Sequence, residues 1–174
     1  MADNHAEEFA REKFRKNNFR IILLSGFLFF EQLFYAVFVS PPWSDLRRVY
    51  LISSAVMLVF FAIGLILSKR ERGRVTFLHE VYEVSFGFFG MAVACLRFIF
   101  IEFDAEAFRI PTVYIAVLYG TAVIFLYRPW QCILMYIATG TAAAILMPVF
   151  HPEIAVSSYV ADIISNGIIA FMMS

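Results

Sequence analysis

The chain has 174 residues, of which 61% are hydrophobic, 18% aromatic and 16% charged. Ordinary soluble domains are roughly 45–50% apolar and about 25% charged, so this chain carries more apolar surface than a small globule can bury. The formal net charge of +0 gives no basic field for a nucleic acid, and two cysteines are too few for a disulfide framework or a zinc cluster. The composition predicts a polytopic membrane protein in contact with the lipid bilayer.

Residues 1–20 form a charged N-terminal arm without the pattern of a signal peptide. A signal peptide has a short basic stretch, an apolar core of about 7–15 residues and a small-residue cleavage site. The arm is long and mixed in charge, and Phe9, Phe14 and Phe19 are spaced loosely enough for an amphipathic helix at the membrane surface. We expect a solvated cytoplasmic arm whose charges orient the first crossing.

Six apolar segments follow, each near the length of about 20 residues that a helix needs to cross a bilayer. Backbone polar groups cannot stay unpaired in lipid, so each segment is predicted to be an α-helix. The predicted crossings are 21–40, 49–68, 81–101, 110–127, 130–150 and 155–174. Small residues four apart, such as Gly140 and Ala144, indicate seams of close helix packing. Residues 21–174 are therefore predicted to be an all-α, six-helix transmembrane domain.

The distribution of Lys and Arg predicts the orientation, because basic residues are enriched in cytoplasmic segments. With the N-terminus inside, the arm, the turn 69–74 and Arg128 hold ten basic residues, whereas the outer loops hold three. Both termini are then cytoplasmic, and the protein is expected in the inner (plasma) membrane. The last crossing ends without a basic anchor, which favours a longer protein that continues into a cytoplasmic output domain.

Polar side chains inside the crossings are the candidate functional groups, because placing them in lipid is costly. The predicted ligand-binding residues are Glu31, Gln32, Arg97, Asp162 and Asn166. Four of these residues are predicted to lie at similar depths in the membrane: Glu31, Arg97, Asp162 and Asn166. They would surround an outward-opening pocket for a small polar or amphiphilic ligand. A structural ion pair joining Arg97 to Glu31 or Asp162, and a proton path through the carboxylates, are the alternatives left open.

A metal or haem site is the other chemistry that the residue types suggest. His79 and Glu83 lie one helical turn apart, a spacing that can hold a metal, but the second histidine of the zinc-protease pattern is missing. His79 is predicted inside and His151 outside, so one haem cannot be ligated by both. Cys95 and Cys132 are expected to pack as small hydrophobes. We therefore predict no cofactor, no metal and no catalytic residue in this chain.

The layout of six crossings, a cytoplasmic N-terminus, a basic second inner turn and an Arg-Pro-Trp hairpin resembles a known class of membrane regions. It is similar to the N-terminal parts of bacterial diguanylate cyclases with a GGDEF domain and of class III adenylyl cyclases. The residues that suit this resemblance are Glu31-Gln32, Phe103-Asp104, His151-Pro152-Glu153 and Asn166. The resemblance covers nearly the whole chain by architecture. It implies a homodimeric sensory domain that controls a cytoplasmic nucleotide cyclase.

The resemblance also implies a mechanism. The exit helix, residues 155–174, is expected to form much of the dimer contact and to transmit the signal. A ligand shifts such an equilibrium by its differential affinity for the two arrangements. Three alternatives stay open: a small transporter or channel subunit with a polar site near mid-bilayer, an integral-membrane enzyme built on residues 79–83, and a scaffold without a ligand.

Overall fold

The computed structural model describes residues 2–69, 75–100, 112–150, 152 and 156–173, and within them it contains helices and no strand. The elements are α1 (Ala2–Phe34) with a π-helical turn (Tyr35–Val39), α2 (Asp45–Lys69), α3 (Phe77–Phe100), α4 (Thr112–Ile124), α5 (Pro129–Phe150) and α6 (Val156–Met173). The all-α prediction is confirmed for this part of the chain. The basic residues 70–74, the turn 103–104, Arg109, His151 and Glu153 lie outside the described residues.

Among the residues that the structure describes, three helices are long enough and apolar enough to cross a membrane, judged by length and composition. They are Glu7–Val39, Arg47–Lys69 and Pro129–Phe150. Two shorter apolar helices, Tyr114–Ile124 and Val160–Met173, lie within the fourth and sixth predicted crossings. The number of six crossings and the cytoplasmic position of both termini stay predictions.

The helix in the fourth predicted crossing ends earlier than the sequence pattern predicts, since α4 ends at Ile124 and not at residue 127. Residues 125–128 are not helical, and Pro129 disfavours helical backbone at the last of them, Arg128. The helix α5 begins at Pro129, and in its first turn the Arg128 carbonyl accepts a hydrogen bond from the Gln131 N–H at 2.8 Å. Four residues, 125–128, thus connect the two helices, and the tight antiparallel hairpin of α4 and α5 stays a prediction.

The chain divides into two compact units, Met1–Glu83 and Val84–Ser174, and the boundary falls within α3. The first unit is a long helical hairpin of α1 and α2, and it also includes the first turns of α3. Pairs along the hairpin fix its antiparallel register: Asn18 Nδ2 donates to the Gly64 carbonyl at 3.2 Å, and Ser54 Oγ donates to the Phe29 carbonyl at 3.3 Å. Because α1 runs without a break from Ala2 to Phe34, the N-terminal arm and most of the first predicted crossing form one continuous helix.

The tip of the hairpin contains an unusual backbone conformation. Pro41 and Pro42 end the first helix, and Trp43 follows with a φ of 70°, in the left-handed region that bulky residues rarely adopt. The Ser44 hydroxyl then accepts the Arg47 N–H at 3.1 Å and caps the start of α2. This cap lets the chain reverse direction within a few residues.

The beginning of α1 carries charged side chains that pair locally. The Lys16 ammonium lies 2.8 Å from a Glu12 carboxylate oxygen, one helical turn away, and both side chains are about half exposed. This hydrogen bond and the positive charge of Lys16 lower the pKa of the Glu12 carboxyl. Phe14, Asn17 and Asn18 are nevertheless buried, so the last turns of the predicted solvated arm belong to the packed hairpin.

The second unit is formed by the rest of α3 with α4, α5 and α6, and α6 packs against both α4 and α5. Its core contains Tyr114, Met135 and Met147, which are almost completely buried. Large apolar side chains such as Ile137 and Val149 of α5 point away from that core and are more than half exposed. Extended exposed apolar surface of this kind is typical of proteins that contact lipid or another protein.

Candidate functional site

Two of the five predicted ligand-binding residues, Glu31 and Gln32, lie together in α1 of the first unit. Gln32 Nε2 donates a hydrogen bond of 2.6 Å to Glu31 Oε2. Gln32 is buried, with 5% of its surface exposed, whereas Glu31 is half-buried. The Gln32 Oε1 atom has no hydrogen-bond partner in the part of the chain that the structure describes. The Glu31 carboxylate is thus already engaged by the Gln32 amide, and the Gln32 amide oxygen is buried.

The other three predicted residues, Arg97, Asp162 and Asn166, lie in the second unit. Asn166 Nδ2 donates to the Asp162 carbonyl at 2.8 Å, and Asn166 Oδ1 accepts the Tyr119 hydroxyl at 2.5 Å. Asn166 therefore ties α6 to α4. Arg97 is half-buried in the last turn of α3, and Asp162 is half-buried in α6. A joint pocket of all five residues stays a prediction.

His79 and Glu83, the weak metal candidates, each have a contact of another kind. His79 Nδ1 accepts the Thr76 N–H at 3.1 Å and lies 2.8 Å from the Thr76 hydroxyl, while its ring meets the Phe14 ring edge-on, with 4.5 Å between the ring centres. Glu83 is buried and lies 3.8 Å from the Lys13 ammonium. Within the described residues no group of three or more His, Cys, Asp or Glu side chains could hold a metal ion.

A buried polar cluster in the first unit was missed by the sequence pattern. It joins Asn18 of α1 and Tyr82 of α3 to the backbone of α2. The Tyr82 hydroxyl donates to the Phe60 carbonyl at 3.0 Å, and both polar side chains lie next to Gly64. The adjacent asparagines 17 and 18 next to an apolar segment were the available signal, but their position in a charged arm favoured exposure.

A second missed cluster joins α3, α4 and α5 in the second unit. Thr139 Oγ1 donates to the Met135 carbonyl at 2.8 Å, so the Tyr114 hydroxyl, 2.9 Å away, is the donor to Thr139. The Cys95 thiol donates to the Thr139 carbonyl, with the sulfur 3.6 Å from that oxygen. The signal in the sequence that could have revealed this cluster was the presence of hydroxyl side chains within the predicted crossings. This network links α5 to α3 through Cys95 and to α4 through Tyr114.

A cavity of about 430 Å³ lies between α5 and α6. Its walls are mostly aliphatic or glycine: Ile133, Tyr136, Ile137, Gly140, Thr141 and Ala144 from α5, and Val160, Ile163, Ile164, Gly167, Ile168 and Phe171 from α6. The predicted seam at Gly140 and Ala144 is closely packed at one point, because a Cβ atom on Gly140 would lie 3.1 Å from Ile163 Cγ2. The same small residues also leave the space of the cavity open.

A further cavity, of about 420 Å³, lies at the tip of the first hairpin. It is lined by Pro42, Trp43, Ser44, Arg47, Arg48 and Leu51. Its tryptophan and two arginines are residue types common where a membrane protein meets water.

Comparisons with known proteins identify no relative: no family model, no curated protein and no solved structure matches the chain. Any functional conclusion therefore depends on the residues and on the helices that hold them.

Proposed function

We propose that the chain is a membrane-integral sensory and dimerising domain of a bacterial signalling protein, in which α6 carries the signal. All six helices then cross the inner membrane with both termini in the cytoplasm, in agreement with the distribution of basic residues. The resemblance to cyclase membrane regions gives the expected output, a cytoplasmic nucleotide cyclase, with a diguanylate cyclase as the first choice.

The observation that carries this proposal is a stripe on the exposed face of α6. The stripe, which we call the α6 seam, consists of Ala161, Ser165, Ile168 and Met172. All four are exposed, and their spacings of four, three and four residues are those of a helix–helix dimer interface. Two of the four are small, which lets helices approach closely in lipid, where apolar character alone gives no driving force.

The opposite face of α6 is held by the rest of the second unit. Ile163 and Ala170 are buried, Ile163 against Gly140 of α5. Asn166 receives the Tyr119 hydroxyl from α4. A change in how α4 and α5 hold this face therefore rotates or displaces the seam. A cue acts by binding one arrangement more tightly than the other.

Cysteine cross-linking in membranes tests the proposal. Cys95→Ala and Cys132→Ala first remove the two native thiols, both of which are buried. Single cysteines are then introduced along α6, at the seam positions 161, 165, 168 and 172 and at the buried positions 163 and 170. We expect disulfide-linked dimers at the seam positions and none at the buried ones. Uniformly absent cross-links, or cross-links without helical periodicity, would contradict the proposal.

A further inference from the structure

The cavity at the tip of the first hairpin, which we call the tip cavity, lies where two candidate membrane spans are joined. It is lined by Pro42, Trp43, Ser44, Arg47, Arg48 and Leu51. The spans Glu7–Val39 and Arg47–Lys69 are connected by residues 40–46, so the tip lies at a boundary between lipid and water when both helices cross the membrane. The volume of about 420 Å³ is within the range of roughly 300–1,000 Å³ that is common for ligand pockets.

Two adjacent arginines give the tip cavity a positively charged wall. Arg48 is exposed and Arg47 is half-buried, and both line the cavity. A guanidinium group is always charged in a protein, and its planar fork of N–H donors fits the oxygens of a phosphate. Residues 40–51 contain these two arginines and one acidic residue, Asp45, so the formal net charge of the tip is +1. The polar part of an occupant is therefore expected to be an anion.

The remaining wall of the tip cavity is mainly apolar and continues along α2 toward the hydrocarbon. Trp43 is 91% exposed, and tryptophan is enriched at the membrane–water interface. Leu51 follows Arg47 by about one helical turn, and both Leu51 and its neighbour Ile52 are exposed. An occupant thus meets positive charge on one side and apolar surface on the other. We therefore expect an amphiphile with an anionic head.

Phospholipids are the amphiphiles that a bilayer presents at this level, and their headgroups differ in charge. Each headgroup has a phosphate that an arginine can bind. The headgroup of phosphatidylcholine adds a quaternary ammonium group, which two arginines repel, whereas the headgroup of phosphatidylglycerol adds hydroxyl groups alone. The charge of the tip cavity therefore favours an anionic phospholipid over a zwitterionic one.

We infer that the tip cavity binds the phosphate of an anionic phospholipid through Arg47 and Arg48, while the acyl chains lie along the apolar surface beyond Leu51. Such binding goes beyond the proposed function, because it requires that α1 and α2 cross the membrane and is independent of any dimer contact of α6. With the N-terminus in the cytoplasm, the bound lipid belongs to the outer leaflet of the inner membrane.

Trp43 itself can report the lipid. Trp130→Phe leaves Trp43 as the only tryptophan of the chain, and phospholipids with brominated acyl chains quench tryptophan fluorescence on contact. The protein is reconstituted in mixtures of phosphatidylglycerol and phosphatidylcholine in which one of the two is brominated, and the quenching gives the ratio of their association constants. We expect phosphatidylglycerol to bind about threefold to tenfold more tightly than phosphatidylcholine. Equal association of the two lipids overturns the proposal.

Two matched variants test whether the arginines cause this preference. Arg47→Gln combined with Arg48→Gln should bring the ratio of the association constants to about 1. Arg11→Gln combined with Arg15→Gln removes the same charge from exposed side chains more than about 30 Å away along α1, and it should leave the ratio within about twofold. Equal effects of the two double variants, or no effect of either, refute the site.

The second tryptophan shows whether the effect is local. In a Trp43→Phe protein the remaining reporter is Trp130, which is 55% exposed. The ratio measured at Trp130 should be the same with and without Arg47→Gln and Arg48→Gln. A change at Trp130 as large as the change at Trp43 would show that the preference does not belong to the tip cavity.

A soluble phosphate distinguishes the two sources of the anion. Glycerol 3-phosphate has the phosphate of the lipid without its acyl chains. At millimolar concentration and constant ionic strength, it should leave the ratio at Trp43 unchanged, because the apolar wall gives it no additional contact. Loss of the preference for phosphatidylglycerol in its presence would show that the cavity binds soluble phosphates, and the assignment to a lipid would be wrong.

Discussion

Close packing around single residues makes the stability of the first unit sensitive to substitution, and Gly64 is the clearest case. A Cβ atom on Gly64 would lie 2.6 Å from the Tyr82 hydroxyl and 2.7 Å from Ile22 Cγ1, both shorter than real contacts of a Cβ atom. The hydroxyl is also held in place by its hydrogen bond to the Phe60 carbonyl. Three helices meet at this point because Gly64 has no side chain.

Gly64→Ala is therefore expected to destabilise the hairpin by about 1–3 kcal/mol, the usual cost of forcing extra atoms into a packed region. The free energy of unfolding in detergent micelles measures the effect. Gly90→Ala is the control, because its Cβ enters open space and alanine favours a helix by up to about 1 kcal/mol over glycine. A Gly64→Ala variant as stable as the Gly90→Ala control would show that α1, α2 and α3 do not pack as closely as described.

In the second unit, Thr139 is the residue at which a single substitution is expected to lower stability. It accepts a hydrogen bond from the Tyr114 hydroxyl and donates one to the Met135 carbonyl. Thr139→Val keeps the shape but leaves the Tyr114 hydroxyl without this acceptor, so we expect a loss of about 1–2 kcal/mol in unfolding free energy. Thr139→Ser keeps the hydroxyl and should lose less. The result that contradicts this is equal stability of the valine and serine variants.

At the scale of helices, Tyr119 of α4 donates a hydrogen bond to Asn166 of α6 and so links the two helices. Hydrogen bonds between membrane helices contribute on average about 0.6 kcal/mol and at most about 1.7. Tyr119→Phe should therefore lower stability by no more than that amount. Its clearer effect is expected on the cross-linking pattern of α6, because the packed face of this helix loses one of its attachments.

That pattern is measured with single cysteines at the seam positions in a Tyr119→Phe background. We expect the relative yields at Ser165→Cys and Ile168→Cys to change. These two positions lie on opposite sides of the α6 seam, so a rotation of α6 brings one of them closer to the partner helix and moves the other away. Val123→Ala is the control background, because Val123 lies on the same helix and is 61% exposed. Identical yields in the Tyr119→Phe and Val123→Ala backgrounds would mean that the hydrogen bond from α4 does not set the position of α6.

The helices themselves were predictable from the sequence, whereas their packed faces were not. Length and hydropathy locate an apolar helix such as α5, because these are local properties of the chain. A helix that is apolar on all sides has no amphipathic pattern to show which face is buried. Nothing in the sequence distinguishes buried Tyr136 from exposed Ile137, so the cavity could not be predicted. Asn166 could be selected as a candidate ligand-binding residue because a polar group in an apolar helix stands out, but its hydrogen bond with Tyr119 could not be predicted.

At the scale of the whole molecule, the prediction to test is the topology. Three described helices are long and apolar enough to cross a membrane, and the basic residues predict that the N-terminus, the turn 69–74 and Arg128 are cytoplasmic. Reporter domains active on one side of the membrane alone, fused after residues 72, 128 and 174, should report the cytoplasm. Fusions after residues 42, 106 and 152 should report the outside. Because each crossing reverses the side, an external reporter at 72 or 174 would exclude the six-crossing arrangement and, with it, a cytoplasmic output carried by α6.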